Sequence, residues 1–277
     1  MKILVCDRLE EKVLDKFEEL GEITNISESK TKTEDLKSNI VDTEIVVIRS
    51  GTKINKDILE NANNLKIIAR CGVGVDNVDV EEATNKKIYV TNSPNANIIS
   101  VAELTIGLII SAARKIHVSN NSLKDKKWDR NKFLGTELYQ KQLGLVGFGK
   151  AAKEVAKRLS AFGMNIVFYD PYVDSSTIEA KKVDLDELLK TSDVISIHVV
   201  KTEETTNLIN NEKLNLIKKG GILVNTSRGG IIDEESLFQK ANEDLIFAGL
   251  DVFSQEPPDI NETFSKSNIV TTPHLGA

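Results

Sequence analysis

Short runs of aliphatic and β-branched residues recur along the chain, separated by stretches whose apolar positions return every three or four residues. Runs at 3–6, 45–48, 66–69, 143–146, 166–169, 194–199, 222–224 and 269–270 predict strands. Amphipathic stretches at 9–20, 151–162, 185–189 and 234–242 predict helices. Apolar strands that lack polar alternation belong to parallel sheets covered on both faces, so the pattern predicts an α/β protein.

The alternation falls into two series, which predicts domains over 1–95 and 96–277. The first closes with the loop signal Asn-Ser-Pro-Asn-Ala at 92–96. The apolar segment 98–116 then predicts one buried helix, and a charged stretch at 124–132, holding Trp128 and Arg130, leads to the second series. A chain of 277 residues, with 40% apolar and 28% charged, can bury one or two ordinary cores. The balance of 36 basic against 42 acidic residues gives a charge of −6, which argues against nucleic acid or an anionic membrane as the partner. Cys6 and Cys71 form neither a disulfide framework nor a metal spacing. No leader pattern opens the chain, and its most apolar stretch, ten residues at 104–113, is about half a membrane span, so a soluble, cytoplasmic protein is expected.

The sharpest motif is Leu-Gly-Leu-Val-Gly-Phe-Gly-Lys-Ala-Ala at 143–152. Gly147 and Gly149 follow an apolar strand, Ala152 takes the third small position, and a helical pattern comes next. The first glycine makes a tight turn, the second lets backbone approach a pyrophosphate, and the small third residue allows close helix–strand packing. Asp170 ends the next strand, 21 residues after Gly149, where a carboxylate accepts from the ribose hydroxyls of a dinucleotide. No arginine adjoins Asp170 to neutralise a 2′-phosphate, so NAD is predicted rather than NADP.

Ligands of open α/β sheets bind beyond the carboxyl ends of the strands. There the sequence has Arg70-Cys-Gly-Val-Gly-Val-Asp76, whose Gly72 and Gly74 can offer N–H groups to a carboxylate. It also has Arg228 in a glycine turn, Asp251 and Glu256 in the segment 250–257, and His274 after the last run. Oxidation of a hydroxy acid uses an arginine to grip a carboxylate, a histidine to take the hydroxyl proton, and a carboxylate to orient that histidine. Singly, each has a bland explanation; together they sit at strand ends of the series that carries the glycine motif.

Through these segments, and through Tyr-Asp-Pro (169–171), Asn-Thr-Ser-Arg-Gly-Gly (225–230), Gln-Glu-Pro-Pro (255–258) and Pro-His-Leu-Gly-Ala (273–277), the chain resembles the D-isomer-specific 2-hydroxyacid dehydrogenases over essentially its whole length. The resemblance implies a Rossmann-type NAD-binding domain plus a smaller flavodoxin-like α/β substrate-binding domain. It implies Arg228, Glu256 and His274 as the catalytic residues. It puts Gly147, Phe148, Gly149, Lys150, Ala151, Asp170, His198, Thr226, Asp251 and His274 at the cofactor, with Asp251 on the nicotinamide carboxamide. Arg49, Arg70, Gly72, Val73, Gly74, Asn97 and Arg130 fall to the substrate. Within the family, Ile-Arg-Ser-Gly-Thr (48–52) and the run from Trp128 look most like members that oxidise 3-phosphoglycerate, with Arg49, Arg70 and Arg130, the last from a second subunit, facing the phosphate.

A homodimer or higher homo-oligomer formed through the cofactor domain is implied as well, with 98–116 and Trp128 as the contact. Two features depart from the family pattern. Lys150-Ala151 replaces a larger pair, and the sequence stops three residues past His274, where members continue with a helix back to the first domain. The latter is expected to reduce stability or activity, checked by melting and turnover of a lengthened chain. The alternatives are a glyoxylate or hydroxypyruvate reductase, another D-2-hydroxyacid dehydrogenase, and a non-enzymatic NAD(H)-sensing protein akin to the family's corepressors.

Overall fold

Ile3 and Val5 point to one face of a sheet, Leu4 and Cys6 to the other, and all four are buried. This two-sided burial is what the unbroken apolar runs require. The structure, a computed structural model, describes residues 1–27, 32–266 and 268–276; Ala277, which ends the Pro-His-Leu-Gly-Ala run, lies outside them. The chain divides into units Met1–Asn97 and Ile98–Ala277.

The first unit holds β1 (Lys2–Val5), β2 (Glu22–Asn25), β3 (Ile45–Ile48), β4 (Ile67–Arg70) and β5 (Tyr89–Asn92), all parallel, in the order β2-β1-β3-β4-β5. That is the flavodoxin-like order. On one face Leu4, Val46, Ile48 and Ile68 pack with Leu36, Ile40, Ile58 and Leu59. On the other, Ile3, Val5, Ile45 and Val47 meet Leu14 and Phe17 of the helix Glu11–Glu18.

The second unit holds β6 (Gln142–Val146), β7 (Asn165–Tyr169), β8 (Lys181–Lys182), β9 (Val194–Ile197), β10 (Gly221–Asn225), β11 (Ile246–Leu250) and β12 (Ile269–Thr271). They form one parallel sheet, β12-β11-β10-β9-β6-β7-β8, with an apolar core on each face. The order reverses between β6 and β9, which makes the carboxyl ends of those strands the switch point of a doubly wound sheet.

The single buried helix expected over 98–116 is instead two. The chain breaks at Lys115, whose φ of 51° is left-handed, and separates Ile98–Arg114 from Ile116–Lys124. Only one stripe of the first helix is buried, at Ala102, Thr105, Leu108, Ile109, Ala112 and Ala113. Apolar residues lie on all sides of that helix, so periodicity alone did not mark the stripe. The strands β2, β5, β8 and β11 were not anticipated. The first three are short or partly polar with exposed positions, and β11 carries Gly249 in its middle. Among the described residues no helix is long and apolar enough to cross a membrane.

Candidate active site

The glycine motif forms the turn its spacing predicts. Gly147 follows β6 with φ +88°, and a Cβ there would come within 2.8 Å of the His198 carbonyl carbon, so both conformation and space demand glycine. Gly149 differs: its φ is −76° and a Cβ would meet nothing within 4 Å. Among the described residues nothing requires glycine there, which leaves open space in front of the turn. It caps the helix Lys150–Ser160, whose N-terminus has no side-chain cap and leaves amide donors for an anion.

Asp170 ends at the same turn. Its Oδ2 accepts the Phe148 N–H at 2.8 Å and Oδ1 the Tyr172 N–H at 2.8 Å. An ionised carboxylate has about four acceptor positions, so two remain for ribose hydroxyls. These features fit a dinucleotide. Phe148 lies within the turn with its ring fully buried, stacked on Phe168 at 4.0 Å, and its N–H donated to Asp170. Lys150 is exposed and Ala151 half-buried. Replacing Gly149 by valine is expected to lower the melting temperature by only about 2–4 °C, the cost of a poorer N-cap with no neighbour displaced, and to weaken NADH binding more than about tenfold, an energy of ~1.4 kcal/mol. Unchanged affinity in a fluorescence titration would refute this account of Gly149.

Next along the sheet edge, His198 follows β9. Its Nε2 lies 2.9 Å from the Ser196 hydroxyl, and burial lowers its pKa to about 4. The ring is therefore neutral at physiological pH and adds no cation to this end of the sheet. Thr226 follows β10 and is buried, its hydroxyl 2.7 Å from that of Thr105 in the helix Ile98–Arg114. In the same loop Asn225 Oδ1 accepts from the Ser227 N–H and hydroxyl, each at 3.0 Å, and Asn225 Nδ2 donates to the Arg228 carbonyl. Arg228 is half-buried, with Nη1 donating to the Ser227 carbonyl at 2.7 Å.

The carboxyl ends of β11 and β12 meet. Glu256 Oε2 lies 2.7 Å from His274 Nδ1, while its Oε1 accepts the Phe253 N–H at 3.1 Å. Both Glu256 oxygens are thus held, and Nδ1 against a carboxylate leaves Nε2 as the ring's other working nitrogen. A cavity of about 430 Å³ adjoins the pair, lined by Phe253, Pro257, Pro258, Thr272 and others. Asp251 is fully buried and accepts from the Thr272 hydroxyl (2.5 Å), the Leu275 N–H (2.7 Å) and the Gly276 N–H (2.8 Å). Its carbonyl accepts the His274 N–H at 2.9 Å. Expected only at the cofactor, Asp251 is here the anchor of the segment that carries His274.

In the first unit, Ile48 pairs with Arg70 in register, which puts Arg49 and Arg70 at adjacent strand ends. Both act on Cys71: burial pushes its thiol pKa up, and the two guanidinium charges pull it down, with Asp7 opposing them. Asp7, which sequence reasoning passed over, accepts the Arg49 N–H at 2.6 Å and the Thr52 N–H at 3.3 Å. Asn77 completes the loop by donating to the Arg49 and Thr52 carbonyls. The signal for Asp7 was its place directly after an apolar run. Arg70 is buried, and its guanidinium lies over Gly72, where a Cβ would fall 1.3 Å from Nη1.

The expected carboxylate cradle needs one correction: the Gly72 N–H turns inward to the Arg70 carbonyl at 2.9 Å. Among the described residues nothing accepts from the Val73 or Gly74 N–H, so these two amides are the ones on offer. Asn97 is half-buried. Arg130 belongs to the second unit, where it opens a short 3-10 turn, exposed and without a partner among the described residues.

Comparison with known proteins agrees with this architecture. The family described as "D-isomer specific 2-hydroxyacid dehydrogenase, NAD binding domain" matches residues 106–276. Over 282 residues the chain is 47% identical to a D-3-phosphoglycerate dehydrogenase of Methanocaldococcus jannaschii, covering all of this chain but 53% of that protein. The chain thus spans about half the length of that relative and of others like it. It is 45% identical to a hydroxypyruvate reductase of Thermotoga maritima, covering 91% of that protein. Among solved structures, the TT0316 protein of Thermus thermophilus superposes with a TM-score of 0.93 at 34% identity, covering 100% of this chain and 90% of that one.

Proposed function

The chain belongs to the D-isomer-specific 2-hydroxyacid dehydrogenase family, with its NAD-binding domain, and on that premise we propose that it interconverts 3-phosphoglycerate and 3-phosphohydroxypyruvate, the entry step of serine synthesis. The observation that carries the chemistry is the His274–Glu256 pair, 2.7 Å apart at the same sheet edge as the glycine turn.

In this reading His274 Nε2 takes the C2 hydroxyl proton, while Glu256 holds Nδ1–H and stabilises the imidazolium that forms. Arg228 holds the carboxylate side of the substrate. NAD, when bound, supplies the hydride acceptor, with Gly149, the open N-terminus of Lys150–Ser160 and Asp170 as its holders. The Val73 and Gly74 amides are carboxylate donors. For the phosphate the support is the convergence of Arg49 and Arg70 on Cys71, and the exposed Arg130 as a group for a second subunit. A dianion needs such a cluster of permanent cations. A cytoplasmic homodimer belongs to the same reading. The exposed Ile99, Ile116, Leu123, Trp128 and Leu134 support that contact, and sedimentation of Trp128→Asp as an unchanged dimer would refute it.

The second reading, a hydroxypyruvate reductase, is favoured by the Thermotoga maritima relative, of whose length this chain covers most. NADH consumption on phosphohydroxypyruvate, hydroxypyruvate, glyoxylate and pyruvate separates the two. Arg49→Ala and Arg130→Ala should each raise KM for phosphohydroxypyruvate by about tenfold or more, the worth of one charge-assisted bond, and leave hydroxypyruvate unaffected. An unchanged KM for the phosphorylated acid sinks the phosphoglycerate assignment. Tight NADH binding with no turnover on any 2-oxo acid would point to a sensing protein instead.

A further inference from the structure

Glu234 opens the helix Glu234–Asn242, yet its carboxylate works outside that helix. Oε1 accepts the N–H of Gly230 at 3.2 Å and of Ser254 at 2.7 Å, and Oε2 accepts the Ser254 hydroxyl at 2.8 Å. The helix is capped separately by Asp233, which accepts the Ser236 N–H at 3.1 Å, so capping does not explain Glu234. The loops it joins are the Arg228 turn after β10 and the segment after β11 that leads to Glu256. They already touch: a Cβ on Gly229 would lie 1.9 Å from the Phe253 carbonyl.

One residue before Ser254, the Phe253 N–H donates to Glu256 Oε1, and Glu256 Oε2 meets His274 Nδ1. A continuous path therefore runs from Gly230 through Glu234, the Phe253–Ser254 peptide and Glu256 to His274. Three donors converge on two oxygens, which an acceptor-only carboxylate satisfies in full.

We propose that Glu234 is a positioning residue that locks the Arg228 turn and the Glu256–His274 pair into one rigid assembly. This rests on the dehydrogenase reading of that site. Small displacements of catalytic groups are expensive in rate, with ~1 Å costing up to about a hundredfold. Glutamine keeps an acceptor for the two amides, and the Ser254 hydroxyl can rotate to accept from its nitrogen, so Glu234→Gln should largely restore what Glu234→Ala removes.

The test measures NADH oxidation with phosphohydroxypyruvate and hydroxypyruvate, NADH affinity by fluorescence, and the low-field imidazole N–H resonance of His274, identified by its loss in His274→Asn. Glu234→Ala should lower kcat about tenfold or more, leave NADH affinity within about twofold, a change of ~0.4 kcal/mol, and move the His274 resonance. Glu234→Gln should recover most of kcat and the resonance, and Ser254→Ala should act like a milder Glu234→Ala. Wild-type kcat with an unmoved resonance in Glu234→Ala overturns the proposal. So does a parallel loss of kcat and NADH affinity that glutamine does not restore, the mark of general loosening. A wild type inactive on every 2-oxo acid defeats the dehydrogenase reading alone, and the resonance then decides the role of Glu234.

Discussion

Replacing His274 by asparagine should lower kcat by about 10²–10⁴-fold, the usual contribution of a positioned general acid–base group, a loss far larger than any change in NADH affinity. Asparagine is the informative substitute because His274 has a φ of +56°, a left-handed conformation that asparagine tolerates better than most residues. An alanine variant would confound lost chemistry with backbone strain. The backbone bonds of His274, from its N–H to the Asp251 and Thr272 carbonyls, survive the change. Glu256→Gln should cost less, since the imidazole stays in place and loses only the charge that stabilises its protonated form. The order of the two effects matters as much as their size. Equal losses in both variants would mean that the pair acts as one unit, with the Glu256 charge as necessary to the proton transfer as the imidazole itself. Full activity in His274→Asn would remove the histidine from the proposed mechanism altogether.

The largest effect on stability is expected at Asp251. Three donors from the segment 272–276 point at its two oxygens in a fully buried site. Asparagine has one acceptor oxygen and one donor nitrogen, so every orientation of its amide leaves at least one of those donors facing another donor. A stranded buried donor costs about 1–3 kcal/mol. For a unit of this size each kcal/mol lowers the melting temperature by about 2–4 °C. Turnover should fall as well, because the loosened segment carries His274. Calorimetry of Asp251→Asn decides the matter: a melt indistinguishable from wild type would mean that the carboxylate does not anchor the loop and serves ligand alone.

The glycine motif and the strand-end residues were legible because each reports a local constraint. Gly147 had to be glycine for a tight turn, and its φ of +88° is what that turn imposes. His274 and Glu256 were legible as chemical types, but not as neighbours; 18 residues separate them, and only the adjacent carboxyl ends of β11 and β12 bring them within 2.7 Å. Asp7, Asn77 and Glu234 escaped notice for a related reason. Each is an ordinary polar residue whose importance lies in which backbone groups it reaches, and those groups belong to loops that follow other strands. Gly72 shows the reverse case. The sequence suggested an outward amide, whereas the peptide turned inward to the Arg70 carbonyl and gave its space to the guanidinium.

By itself the sequence determined the α/β class, the parallel sheets, the glycine turn with Asp170 at its spacing, and the residue types a hydroxy-acid dehydrogenase uses. These follow from periodicity and from conformational demands confined to a few consecutive residues. Tertiary structure alone decided the strand order that sets the switch point and the break at Lys115. It also decided which donors Asp251 and Glu234 satisfy, because contacts between residues distant in the chain depend on sheet order and loop approach, which no local pattern encodes.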